Sequence, residues 1–225
     1  MASGFQPVQQ ALFSDGIGRG GADADLIKTE FLPPVLDLLS EGVPIRLGGW
    51  SILTMHERDD KRCIVSQTLL DEAATIALGA KLAETLAVCK NGLLIYLEGD
   101  LGAGKTTLVR GLLRALAYEG KVKSPTYTFV EPYAISSLHL YHFDFYRFES
   151  AEEYLDGGFD EYFGKGAICL VEWPDKAAPY LPSPDVRICL SVLDDGRAVV
   201  LEGLGEEGRR CLTNQAQSRP PDVMH

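Results

Sequence analysis

Eight consecutive residues, Gly99-Asp100-Leu101-Gly102-Ala103-Gly104-Lys105-Thr106, satisfy the pattern G-x-x-x-x-G-K-[ST] at every fixed position. Glycines at Gly99, Gly102 and Gly104 let successive backbone N–H groups converge on phosphate oxygens with no side chain in the way, at the positive end of a helix dipole. Lys105 reaches the β- and γ-phosphates as a point charge, and the Thr106 hydroxyl coordinates a Mg²⁺ that bridges them. Thr107 falls beside the α-phosphate. Asp100 must direct its charge away from the phosphates and takes no catalytic role, so with Leu101 and Ala103 it contributes to the loop through the backbone. Such a loop identifies a nucleoside triphosphate site without fixing what is done with it. No N-K-x-D tetrapeptide that would read guanine occurs, and no ABC-type signature follows the loop, so adenine is the expected base.

The loop needs a strand before it and a helix after it. Leu93 to Leu97 is the near-continuous apolar run of a buried parallel strand, and Thr106 to Ala117 continues as a helix. Upstream, Cys63 to Val65 reads as a short strand. Thr68, three residues ahead of Asp71, reads as a capping box that opens a helix to about Ala87. Its apolar positions Ala73, Ile76, Ala77, Ala80, Ala83 and Leu86 are expected to face the core.

Downstream, Ala167 to Val171 is an apolar strand that ends in Glu172, the place where phosphate-loop folds supply a second metal-holding carboxylate. Trp173 and Pro174 close that strand. The other candidate acid is Asp144, in Leu140 to Arg147, where period-two alternation sets His142 and Asp144 on one face and sends Arg147 to the other. That spacing leaves His142 evenly poised between packing and a supporting contact. It favours a structural or partner-facing Arg147 over an arginine finger. Tyr141, Phe143, Phe145 and Phe148 read as core. Val186 to Leu193 and Arg197 to Leu201 flank Asp194-Asp195-Gly196, a hairpin signal without chemistry.

The chain has 225 residues, of which 46% are hydrophobic and 24% charged, enough for one sizeable core with an appendage. Its 32 acidic and 21 basic residues give a net charge of −11, which disfavours holding long nucleic acid through phosphate contacts. No run approaches the roughly 20 apolar residues of a membrane span, and the N-terminus lacks the pattern of a secretory signal, so the cytoplasm is the expected compartment. The five cysteines, Cys63, Cys89, Cys169, Cys189 and Cys211, form no metal-ligand spacing and read as reduced structural thiols. Residues 1–60 carry glycine punctuation and no sustained periodicity, apart from a possible short helix near 30–39. They read as a weakly structured extension that need not be translated if synthesis begins at Met55. Residues 61–205 are the expected catalytic domain and 206–225 a flexible tail.

In order, GDLGAGKTT, KSPTYTFVEPY, YHFDFYR and LVEWP resemble the motif set of the TsaE family over about Ile64 to Gly203. The family's fold implies an α/β, P-loop NTPase-like mixed β-sheet flanked by helices. The resemblance implies a Mg²⁺-dependent ATPase within the bacterial machinery that makes threonylcarbamoyladenosine beside the anticodon of tRNAs reading codons that begin with A. Its partners would be subunits of the TsaB and TsaD type, with tRNA engaged only indirectly and no membrane. By the same resemblance Lys105 and the loop bind ATP phosphates, and Thr106 and Glu172 hold Mg²⁺. Asp144 then positions or activates the attacking water. Ser124 to Tyr127 would be a switch-like loop whose hydroxyls sense the γ-phosphate, Tyr127 standing where many relatives carry Phe. Glu72, Thr75 and the loop Trp173-Pro174-Asp175-Lys176 would border the adenine. The residues also leave a small-molecule or nucleoside kinase as a second reading, although basic residues for a lid are sparse after Lys123, and a non-catalytic interaction module as a third.

Overall fold

A computed structural model of the chain describes residues 51–57, 60–86, 91–136 and 138–217. Eight strands are named here in chain order: β1 (Ser51–Glu57), β2 (Asp60–Leu69), β3 (Leu93–Glu98), β4 (Val130–Ile135), β5 (Leu138–Asp144), β6 (Ala167–Glu172), β7 (Val186–Leu193) and β8 (Gly196–Gly203). They form one mixed sheet in the order β1-β2-β8-β7-β3-β6-β5-β4. The four central strands β7, β3, β6 and β5 run parallel, and antiparallel strands flank them on both sides. Pro132, which has no N–H to give a ladder, sits in the edge strand β4, where one side needs no partner. The sheet with its helices is the expected α/β mixed-sheet fold.

Helices α1 (Glu72–Leu86), α2 (Lys105–Ala115) and α4 (Gly205–Gln217) share the larger core, in which Leu82, Leu86, Leu108, Leu112 and Leu212 meet Ile95, Leu97, Leu170 and Leu201 of the strands. An aromatic cluster forms a second core. Phe143, Phe145 and Phe148 are buried there as expected, with Tyr141 partly buried against them, and Tyr154 of the one-turn helix α3 (Glu153–Asp156) and Phe159 join them. Four buried cysteines are free thiols; Cys89 lies outside the described residues. No helix among the described residues is long and apolar enough to cross a membrane.

Four local expectations are corrected. Thr68 belongs to β2 and caps nothing; the α1 cap is Asp71, whose Oδ1 accepts the Ala74 N–H at 2.7 Å. The buried residues of α1 are Thr75, Leu78, Gly79, Leu82, Ala83, Thr85 and Leu86, whereas Ala73 and Ala77 are exposed. That face is set by contact with α2. A Cβ on Gly79 would stand 2.2 Å from Leu108 O, and one on Gly111 2.3 Å from Ile76 O, so the two helices meet backbone to backbone. Residues 51–57, placed in a weakly structured extension, form β1 and pair with β2 from Ser51↔Ser66 to Glu57↔Asp60, because ladder bonds use the backbone and need no side-chain periodicity. Residues 206–217, placed in a flexible tail, belong to α4, anchored by buried Cys211 and Leu212. Residues 1–50, including the possible helix near 30–39, and 218–225 lie outside the described residues.

Candidate functional site

The phosphate loop joins β3 to α2. Gly99, at φ 132°, approaches β7 so closely that a Cβ would fall 2.2 Å from Leu190 O. Gly104, at φ 108°, takes the left-handed conformation that ends the loop. No side chain caps α2, and the first amides of a helix, which have no acceptor within it, form the kind of end that suits an anion. Ala103 is fully buried under the loop, while Asp100 and Leu101 are exposed. Lys105 Nζ folds back to donate to Gly99 O at 2.6 Å and Asp100 O at 3.0 Å, and stands 4.1 Å over the Trp173 ring. Burial pulls the Lys105 ammonium below the ordinary lysine range, and the carboxylates of Glu172, Asp144, Asp100 and Asp175 oppose that pull.

Parallel register sets the two acids. In the β5–β6 pair Asp144 lies opposite Glu172, and in the β3–β6 pair Glu172 lies opposite Leu97, two residues before the loop. Both carboxylates therefore emerge at the carboxyl ends of parallel strands, where open α/β sheets bind ligands. Each is about 3% exposed, which demands partners. Glu172 Oε1 accepts the Thr106 hydroxyl at 2.8 Å and pairs with His142 Nε2 at 2.9 Å. Asp144 Oδ1 accepts the Tyr146 N–H at 3.0 Å, and its Oδ2 accepts the hydroxyls of Thr126, at 2.8 Å, and Ser124. Trp173 closes β6 in the left-handed region at φ 58°, an uncommon state for a bulky residue, and this turn presents its ring to Lys105 and Tyr146.

A cleft of about 440 Å³ opens above these groups, within the size range of small-molecule sites. Its walls bring together Glu72, Leu101, Gly102, Gly104, Lys105, Thr106, Thr107, Asp144, Glu172 and Trp173, all anticipated from sequence. Asp175 is exposed and does not line it, nor do Gly99, Asp100 and Ala103, which shape the loop from behind. Thr75 stands behind the cleft wall, 3.5 Å from the Arg197 guanidinium. Arg147 is outside, with its guanidinium 4.3 Å over the Tyr127 ring and a bond to the Tyr127 hydroxyl at 3.2 Å.

Two basic residues of the cleft wall escaped the sequence reading. Arg110 lies one turn along α2 from Thr106 and pairs with Glu72 at 3.3 Å. Helical spacing alone carried that signal. Arg197, placed in a hairpin without chemistry, enters the cleft from β8; its Nε is buried with no hydrogen-bond partner, close to where a Cβ on Gly104 would stand. Nothing local in the sequence marks it.

The Thr106 hydroxyl and the Glu172 carboxylate are hard oxygen donors already in contact. That donor set suits Mg²⁺, which binds through one or two carboxylates together with substrate phosphates.

The family profile described as threonylcarbamoyl adenosine biosynthesis protein TsaE matches residues 69–199. The Haemophilus influenzae tRNA threonylcarbamoyladenosine biosynthesis protein TsaE is 42% identical over 151 residues, covering 66% of this chain and 96% of that protein. The Bacillus subtilis protein of the same name is 41% identical over 122 residues, covering 54% and 76%. The crystal structure of Bacillus subtilis YdiB superposes with a TM-score of 0.56 at 32% identity, over 72% of this chain and 98% of that one. The profile spans more than half of the sequence and its motifs converge on one cleft, and the chain belongs to the TsaE family.

Proposed function

We propose that the cleft binds ATP with Mg²⁺ and hydrolyses its terminal phosphoanhydride bond, as the ATPase component of the machinery that forms threonylcarbamoyladenosine beside the tRNA anticodon. The observation that carries this reading is the convergence of a phosphate loop with two buried acids, one of them bonded to the loop's own Thr106. The loop amides and Lys105 bind the phosphates, Lys105 exchanging the carbonyls of Gly99 and Asp100 for phosphate oxygens. Thr106 and Glu172 hold the cation, which when bound neutralises charge on the phosphates. Arg110 and Arg197 add positive charge to the walls. Trp173 and Glu72 border the base, with Asp175 at the rim.

Asp144 orients the attacking water and accepts its proton. In the described state both of its oxygens are engaged, so the acid becomes available as the hydroxyls of Ser124 and Thr126 turn toward the γ-phosphate. That requirement suits hydrolysis stimulated by partners, the subunits of the TsaB and TsaD type. The acidic balance of the chain suits indirect contact with tRNA, and the cytoplasm is the compartment in which such a complex would meet it. The test is ATP turnover measured alone and with those subunits. Stimulation by the partners supports the reading; strong unaided phosphoryl transfer to a small acceptor overturns it in favour of a kinase.

A further inference from the structure

His142 is fully buried on β5, two residues before Asp144, and its ring reaches diagonally across the parallel pair to β6. There Nε2 stands 2.9 Å from Glu172 Oε1. A carboxylate oxygen only accepts, so Nε2 carries the proton of this bond. The other ring nitrogen, Nδ1, is buried with no hydrogen-bond partner. Burying an imidazole with an orphaned nitrogen is costly, and an apolar side chain of similar size would occupy the position without that cost. Packing therefore does not account for a histidine here; its bond to Glu172 does.

Glu172 Oε1 receives two donors at once, the Thr106 hydroxyl from the loop and the His142 N–H from the neighbouring strand. Among the described residues no hydrogen bond reaches Oε2 of Glu172. Two donors on one oxygen fix the rotation of the carboxylate and keep the other oxygen free. Without His142, Glu172 would be held by Thr106 alone, the group whose lone pair the cation also needs.

We propose that His142 is the positioning residue for the cation carboxylate: its Nε2–H locks Glu172 in the orientation that receives Mg²⁺ with the nucleotide. The inference rests on the reading of Glu172 as the cation carboxylate, and it assigns His142 no proton transfer. Loss of such a supporting bond typically weakens metal binding by about 10- to 100-fold.

The experiment is calorimetric titration of the full chain with an ATP analogue whose γ-phosphate cannot be transferred, once with Mg²⁺ and once with EDTA. His142→Leu keeps the bulk and removes the donor. Affinity in EDTA is expected to match wild type while affinity with Mg²⁺ falls by roughly tenfold or more. His142→Gln, whose side-chain amide places an N–H near the Nε2 position, is expected to recover most of the loss. Wild-type affinity of His142→Leu under both conditions overturns the inference, and so does an equal loss in both, which would mark a purely structural role. If wild type itself shows no Mg²⁺ dependence, the reading of Glu172 fails and the inference falls with it, an outcome distinct from the other two. A second measurement needs no variant: nitrogen NMR of the wild-type histidine rings is expected to show His142 protonated at Nε2 and bare at Nδ1, with a signal that moves on adding the analogue with Mg²⁺ and stays when it is added with EDTA. A ring without a proton at Nε2, or a signal indifferent to Mg²⁺, overturns the inference.

Discussion

The hydroxyl of Thr106 donates to the carboxylate of Glu172 at 2.8 Å although 66 positions separate them in the chain. One stands in the first turn of α2 and the other at the end of β6, and the parallel β3–β6 pair brings those two ends together. The phosphate-loop segment and the strand that supplies the acid are thereby tied by one hydrogen bond.

Replacing Glu172 with Ala is expected to leave nucleotide binding in EDTA near wild type and to lower the Mg²⁺-dependent affinity by about tenfold or more, with hydrolysis falling in parallel. Calorimetry with and without Mg²⁺ separates the two conditions. Unchanged affinity in Mg²⁺ would remove Glu172 from the cation site.

Asp144→Asn preserves size and polarity while deleting the charge. ATP is expected to bind as in wild type while partner-stimulated hydrolysis drops by roughly 10²-fold or more, the scale of general-base loss. Paired binding and turnover assays check this. Turnover at the wild-type rate would make Asp144 a structural anchor for the loop from Ser124 to Thr126.

The sequence has no guanine-reading tetrapeptide, and Trp173 with Glu72 lines the cleft beside the loop. ATP and ADP with Mg²⁺ are expected to bind more tightly than GTP and GDP under the same conditions. Guanine nucleotides binding equally well in calorimetry would overturn the adenine assignment.

Truncation distinguishes the leader from the sheet. A chain beginning at Ser51 is expected to bind nucleotide as the full chain does. One beginning at Met55 loses Ser51 to Thr54, which pair with Ser66 to Cys63, and is expected to unfold at lower urea with a loss of roughly 1–2 kcal/mol. Identical urea midpoints for the two would show that these pairings add nothing to stability.

Gly111→Ala tests the contact that positions the loop helix. The new methyl would stand 2.3 Å from the backbone oxygen of Ile76, so α1 and α2 must separate. A destabilisation of about 2–3 kcal/mol is expected, read from the urea midpoint. A stability equal to wild type would mean that the helices part at no cost.

The phosphate loop, its flanking strand and helix, and Glu172 at the end of an apolar run were legible in the sequence because each is local. Glycines mark a backbone that must approach phosphate, continuous apolar residues mark a strand buried on both faces, and a lone acid closing such a strand stands out. The strand spacing also put His142 beside Asp144, without revealing that the ring turns to Glu172 on the neighbouring strand. What depended on packing between distant segments left no local trace. The buried face of α1 turns on Gly79, which meets Gly111 and Leu108 of α2 at backbone distance and leaves Ala73 and Ala77 outward, and that contact joins segments distant in the chain. The strand at Ser51–Glu57 is held by backbone pairing, and α4 is anchored by Cys211 and Leu212 within a mostly polar segment that holds few apolar residues to mark it. Arg197 illustrates the divide most clearly: it follows a hairpin turn, and only the sheet order, which lays β8 beside β7 and β7 beside β3, carries its guanidinium to Thr75, 122 positions away, at the rim of the phosphate loop.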